Sequence, residues 1–257
     1  MADVIDYKIY GDEMQIVEIE LDTSEGVRAE AGAMLFMEDG IEMQTSVEGG
    51  IFKGFKRMLT GESFFITTFL NTGQGRRRVA FGAPFPGKVV PLDLASLGGE
   101  FLCQKDAFLC AARGIDIDIA FTRRLGAGLF GGEGFILQRL TGDGLAFVHA
   151  GGTIIKKELA PGECLQVDTG CLVAFVPSVD YNIQFVGGFK NALFGGEGIF
   201  FARLTGPGIV YLQSLPFSRL ADRIMAAARF QQRDERRGAA RLGGGILGGI
   251  LGGDKNF

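Results

Sequence analysis

Tryptophan is absent from this chain of 257 residues, and histidine occurs once, at position 149. A single histidine gives little support to a Ser-His-Asp triad or a His-rich zinc site. Cysteine is sparse: Cys103, Cys110, Cys164 and Cys171 form two pairs, each spaced C-x6-C. That spacing matches neither a zinc knuckle nor a C-x-x-C redox pair. On a continuous strand the odd offset would also place the two members on opposite faces. They read as reduced, buried thiols of a cytoplasmic protein, with no metal site. No apolar run approaches the ~20 residues needed to span a bilayer. Met1-Ala2-Asp3-Val4-Ile5-Asp6 is acidic and lacks the basic and apolar regions of a secretory signal. The glycine-rich loops lack both the Lys-Ser/Thr pair of a Walker loop and a G-x-G-x-x-G after a strand.

Glycine and phenylalanine are plentiful, at 41 and 23 residues, while proline is limited to 7. That glycine content is about twice the usual share of roughly 7%. Together with abundant Val and Ile, it indicates many short strands joined by tight turns. The net charge of −4 is unevenly placed. Before Ser218 the chain carries 18 basic and 26 acidic residues, a net of −8. From Ser218 to Leu242 seven arginines face Asp222, Asp234 and Glu235, a net of +4. An acidic body lacks the clustered positive charge that phosphate binding requires, so no nucleic-acid partner is expected.

Self-similarity is the strongest signal. Leu59-Thr60-Gly61-Glu62-Ser63-Phe64-Phe65 matches Leu129-Phe130-Gly131-Gly132-Glu133-Gly134-Phe135 and Leu193-Phe194-Gly195-Gly196-Glu197-Gly198-Ile199. The second and third run on into Arg139-Leu140-Thr141-Gly142 and Arg203-Leu204-Thr205-Gly206, whereas the first has Asn71-Thr72-Gly73-Gln74-Gly75. Upstream, the segments beginning at Val27, Phe101 and Cys164 align. Ile115-Asp116-Ile117-Asp118-Ile119 and Tyr181-Asn182-Ile183-Gln184-Phe185 alternate with period two, giving one buried and one exposed face each. The copies span about 15–83, 88–150 and 153–215. The expected fold is all-β: three tandem β-sandwich-like modules sharing a core around a pseudo-threefold axis, plus a C-terminal helix. Residues 1–217 form a single β domain, and 218–257 an amphipathic basic helix with a Gly-rich tail.

The triplicated Gly-Glu-(Gly/Ser)-(Phe/Ile) turn, with Leu-Thr-Gly after two of its copies, resembles the altered-inheritance-of-mitochondria family of mitochondrial biogenesis factors. The resemblance covers about residues 10–215. It implies a β fold like that of the tryptophan attenuation protein, with three subunit-like modules around a pseudo-threefold axis. It implies no particular chemistry.

Three candidate groups stand out. Glu62, Glu133 and Glu197 hold equivalent turn positions; converging near an axis, they would bind a cation or a small ligand. A turn signature explains the same spacing, with Gly supplying φ > 0 and Glu accepting from turn amides. His149 has no counterpart in the other copies, where Gly82 and Gln213 stand, and reads as a partly exposed strand-end residue. In the tail, Pro216 closes the last copy and Ser218 can cap a helix starting near Arg219. Leu220, Ile224, Ala227, Ala228 and Gln231 form an apolar stripe. Arg219, Arg223, Arg229, Arg233, Arg236 and Arg237 add charge suited to a protein partner or a membrane surface. The functional expectation is a non-catalytic, homo-oligomeric assembly or scaffold protein without a cofactor, cytoplasmic, with a tail that contacts a protein partner or a membrane surface. The alternative is a small-ligand or cation-binding module built on the Glu turns.

Overall fold

In the computed structural model, residues 1–44, 66–83, 85–123, 135–186 and 199–228 are described. The protein is all-β with a C-terminal helix. After β1 (Asp6–Tyr10), one order of elements occurs three times: two strands, a 3₁₀ turn, then four strands. The first set is β2 (Ile16–Leu21), β3 (Gly26–Glu30), the turn Ala31–Ala33, β4 (Met34–Met37), β5 (Ile41–Gln44), β6 (Ile66–Asn71) and β7 (Arg77–Gly82). The second is β8 (Lys88–Asp93), β9 (Glu100–Gln104), the turn Lys105–Ala107, β10 (Phe108–Ala112), β11 (Asp116–Arg123), β12 (Phe135–Thr141) and β13 (Leu145–Ala150). The third is β14 (Ile154–Leu159), β15 (Cys164–Asp168), the turn Thr169–Cys171, β16 (Leu172–Phe175), β17 (Asp180–Val186), β18 (Ile199–Thr205) and β19 (Gly208–Gln213).

The pairing interlocks these sets. Strands run β1-β2-β7-β4 in one sheet and β5-β6-β3-β10-β13-β8 in the next. A third sheet runs β11-β12-β9-β16-β19-β14 and a fourth β15-β18-β17. Half of each six-stranded sheet therefore comes from one set and half from the next. The first junction pairs Ala29 with Cys110, Arg28 with Ala111 and Val27 with Ala112, antiparallel. The second pairs Cys103 with Ala174 and Leu102 with Phe175. A closed pseudo-threefold ring would need a third junction, between β15 and β4, but these strands belong to different sheets.

Local pattern follows from position in the sheets. β2 alternates, with Val17, Ile19 and Leu21 buried and Glu18 and Glu20 turned outward. β10, flanked by β3 and β13, is buried along its whole length. Phe69 of β6 meets Phe81 of β7 edge to face at 5.1 Å, joining two sheets across the larger core cluster. Phe121 of β11 meets Tyr181 of β17 at 5.6 Å beside the smaller cluster. The divergent turn of the first copy has its own lock. Buried Asn71 donates to the carbonyls of Leu21 (2.9 Å) and Gly75 (2.8 Å) and accepts from the Gly73 amide.

Three expectations need correction. The 3₁₀ turns begin at Ala31, Lys105 and Thr169, so Leu165, not Cys164, occupies the position of Val27 and Phe101. The C-x6-C pairs do not sit on continuous strands, because a 3₁₀ turn lies within each. The helix covers 217–228, starting directly after Pro216, so Ser218 lies inside it rather than capping it. The chain divides into a body, Met1–Pro216, and a second unit, Phe217–Phe257.

Candidate interaction surface

Glu62, Glu133 and Glu197 lie outside the described residues, as do Arg229, Arg233, Arg236 and Arg237. Among the described residues no group of three or more His, Cys, Asp or Glu side chains could hold a metal ion. Arg219 and Arg223 are exposed on the 217–228 helix. Ile224 and Met225, beside them in sequence, are each more than half exposed. Leu220 and Ala221 are half-buried. No helix among the described residues is long and apolar enough to cross a membrane.

His149 is buried, not partly exposed: only 2% of it reaches solvent. The chain entering β8 covers it. The Phe85 ring stands edge-on at 4.6 Å, and a methyl group on Gly87 would lie 2.5 Å from both Cε1 and Nε2. Among the described residues Nδ1 has no hydrogen-bond partner, and burial pushes the imidazole down to about 4. At neutral pH the buried ring is uncharged.

The thiols also divide. Cys103 and Cys110 are fully buried; desolvation pushes Cys103 up to about 12 and Cys110 well above its ordinary value. Cys164 is exposed, contrary to expectation, because β15 lies at the edge of its sheet. The Arg203 guanidinium donates to its sulfur at 3.5 Å and the Thr205 hydroxyl lies 3.6 Å away, and both lower its pKa. Alkylation of the native protein near neutral pH should therefore label Cys164 ahead of Cys103 and Cys110, read by peptide mass mapping. Equal labelling of all three before denaturation would contradict this burial pattern.

A charged groove of about 520 Å³ lies on the outer face of the first sheet. Arg78 sits among Glu20 at 2.8 Å, Glu38 at 3.6 Å and Glu18 at 3.7 Å. Arg76 bridges Glu20 at 2.7 Å, Asp22 at 2.9 Å and Asp6 at 3.6 Å. Hydrogen bonds from Arg76 and Arg78 hold the Glu20 carboxyl below its usual range. Tyr10 donates to Glu18 at 3.2 Å, and Lys8 lies 4.7 Å above the Tyr10 ring. The three glutamates are already met by arginine, and exposed pairs of this kind contribute little to stability. The groove borders Phe36 of β4, which is 42% exposed between Leu35 at 50% and Met37 at 39%. Sequence reading missed this face, although its signals were present. Glu18 and Glu20 occur two apart, and a period of two places them on one side of β2; Arg78 of β7 and Arg76, just before that strand, are also two apart.

Three like-ordered strand sets, with sheets shared between sets, define an all-β body built on an internal repeat. The family model for mitochondrial biogenesis AIM24 matches residues 7–215, and the chain belongs to that family. An uncharacterised protein of Streptococcus pyogenes serotype M6 is 28% identical over 214 residues, covering 80% of this chain and 84% of its own. The crystal structure of a Streptococcus pyogenes protein superposes with a TM-score of 0.70 at 26% identity, covering 87% of this chain and 99% of that one.

Proposed function

We propose that the protein is a non-catalytic, homo-oligomeric assembly protein whose basic C-terminal helix contacts an anionic membrane surface. The observation that carries this reading is the 217–228 helix, where exposed Ile224 and Met225 stand beside exposed Arg219 and Arg223. Apolar side chains flanked by arginine suit the boundary between acyl chains and anionic headgroups. Charge favours contact through the tail alone, since the chain before Ser218 carries −8 and the segment from Ser218 to Leu242 carries +4. Each basic residue near such a surface contributes about 1 kcal/mol, reduced by salt.

Vesicle co-sedimentation tests the reading. The full chain should bind phosphatidylserine-containing vesicles at low salt, bind less as salt rises, and ignore neutral vesicles. The chain lacking residues 218–257 should stay folded by circular dichroism and lose the binding. Equal binding with and without the tail, or none by the full chain, would sink the membrane contact. Retention of a protein instead of vesicles by the tail would replace the membrane with a polypeptide partner.

A further inference from the structure

The two junctions inside the chain define what a third would look like, and the chain presents both halves of it unjoined. Aligned on the 3₁₀ turns at Ala31, Lys105 and Thr169, β4 corresponds to β10 and β16, and β15 corresponds to β3 and β9. β10 pairs with β13 on one side and β3 on the other; β16 pairs with β19 and β9. Among the described residues β4 pairs with β7 alone, and β15 with β18 alone.

Burial changes accordingly. Leu35, Phe36 and Met37 are 50%, 42% and 39% exposed. Their counterparts Leu109, Cys110 and Ala111 are exposed by no more than 2%, and Val173, Ala174 and Phe175 by 0%. On the other half, Leu165 is half-buried, whereas its counterparts Val27 and Phe101 are fully buried. An apolar strand edge left open in this way is a template for another strand. The structure pairs such an edge twice, each time with the equivalent of β15.

We infer that a second copy of this chain supplies the missing junction: β15 of one protomer pairs antiparallel with β4 of its neighbour. The register follows from the two existing junctions. Cys110 faces Ala29 and Ala174 faces Cys103, which sets Phe36 opposite Val167. Ala111 faces Arg28 and Phe175 faces Leu102, which sets Met37 opposite Gln166. The contact is heterologous, so repetition of it produces a ring or a filament. This inference rests on the homo-oligomeric part of the proposed function and is independent of the tail.

Cysteine pairing across the expected register tests it. Met37 and Gln166 are both exposed in the protomer, so M37C and Q166C leave its core unchanged. Each is made in the full chain with Cys164 and Cys171 replaced by Ser, purified alone, then mixed and oxidised. Facing residues of an antiparallel pair lie within disulfide reach. The expected product is a disulfide joining one M37C chain to one Q166C chain, confirmed by peptide mapping, with little linkage in either variant alone. Phe36→Asp, which would place an unpaired carboxylate in the junction, should shift the native mass spectrum from oligomer to monomer. Disulfide dimers from M37C alone would mean that β4 pairs with itself, and would overturn the inference. A purely internal disulfide in the M37C/Q166C double variant would show that the chain closes on itself, also overturning it. An oligomer unchanged by Phe36→Asp and free of the mixed cross-link would overturn the edge contact while leaving homo-oligomerisation standing. A monomeric unmodified protein would overturn both.

Discussion

Truncating Phe147 to alanine will cost about 3–5 kcal/mol of stability, the range for removing a large aromatic from a packed core. Phe147 is fully buried on β13, an inner strand of a six-stranded sheet, between β10 and β8. Within that sheet it lies between Cys110 on β10 and Pro91 on β8. The Tyr7 ring from β1 meets it edge-on at 4.9 Å. It belongs to the larger core cluster, whose backbone framework cannot collapse into the space left behind. Urea titration should show a lower midpoint with an unchanged slope. Met43→Ala on β5, where the side chain is 43% exposed, should change stability by about 0.5 kcal/mol or less. A Phe147→Ala loss no larger than the Met43→Ala loss would mean that this aromatic site is not the packed core described above.

Acid will destabilise the protein through His149, by up to about 3 kcal/mol between neutral pH and pH 4. Burial lowers the folded imidazole from 6.5 to about 4. The uncharged ring is favoured in the folded state, so this contribution is fully present above the unfolded value. As the pH falls below about 6.5 the unfolded chain takes up the proton first, and stability drops by about 1.4 kcal/mol per pH unit. The loss levels off near pH 4, where the folded protein is protonated too. His149→Gln uses the residue found at the corresponding position of the third set, Gln213. Gln213 is itself buried, accepts from the Gly151 amide at 2.8 Å and donates to the Gly170 carbonyl at 2.9 Å. Carboxylates contribute their own acid dependence, so the informative quantity is the difference between parent and variant from pH 7.5 to 4.5. Parallel stability profiles would remove His149 from the account. The chain has one histidine, so its ring resonances can be titrated directly by NMR.

Turn chemistry and alternation made the β class and the C-terminal helix legible, because both are encoded locally. Glu18 and Glu20 alternate with Val17, Ile19 and Leu21, and the structure places the two groups on opposite faces of β2. The errors fall where environment comes from a distant segment. His149 is covered by Phe85 and Gly87, and nothing adjacent to position 149 announces them. Cys164 is exposed on β15, beyond which no strand pairs among the described residues, a property of topology rather than of the residues around it. The β4 segment Met34-Leu35-Phe36-Met37 is as apolar as Leu172-Val173-Ala174-Phe175, yet only the second is buried. Of the candidate sites, Glu62, Glu133 and Glu197 remain a sequence pattern, while the exposed arginines of the helix begin with Arg219 and Arg223.

The sharing of sheets between strand sets has a consequence for synthesis on the ribosome. Ala29 of β3 pairs with Cys110 of β10, and Cys103 of β9 with Ala174 of β16. A nascent chain that has released only its first set carries a strand, β3, whose mate is still untranslated. When β10 emerges it supplies that mate, but β9 of the same set then waits for β16. Each stage of translation thus hands an unfinished edge to the next, so the body cannot mature as independent beads. A ribosome stalled between sets would leave a sticky intermediate for chaperones or aggregation to claim.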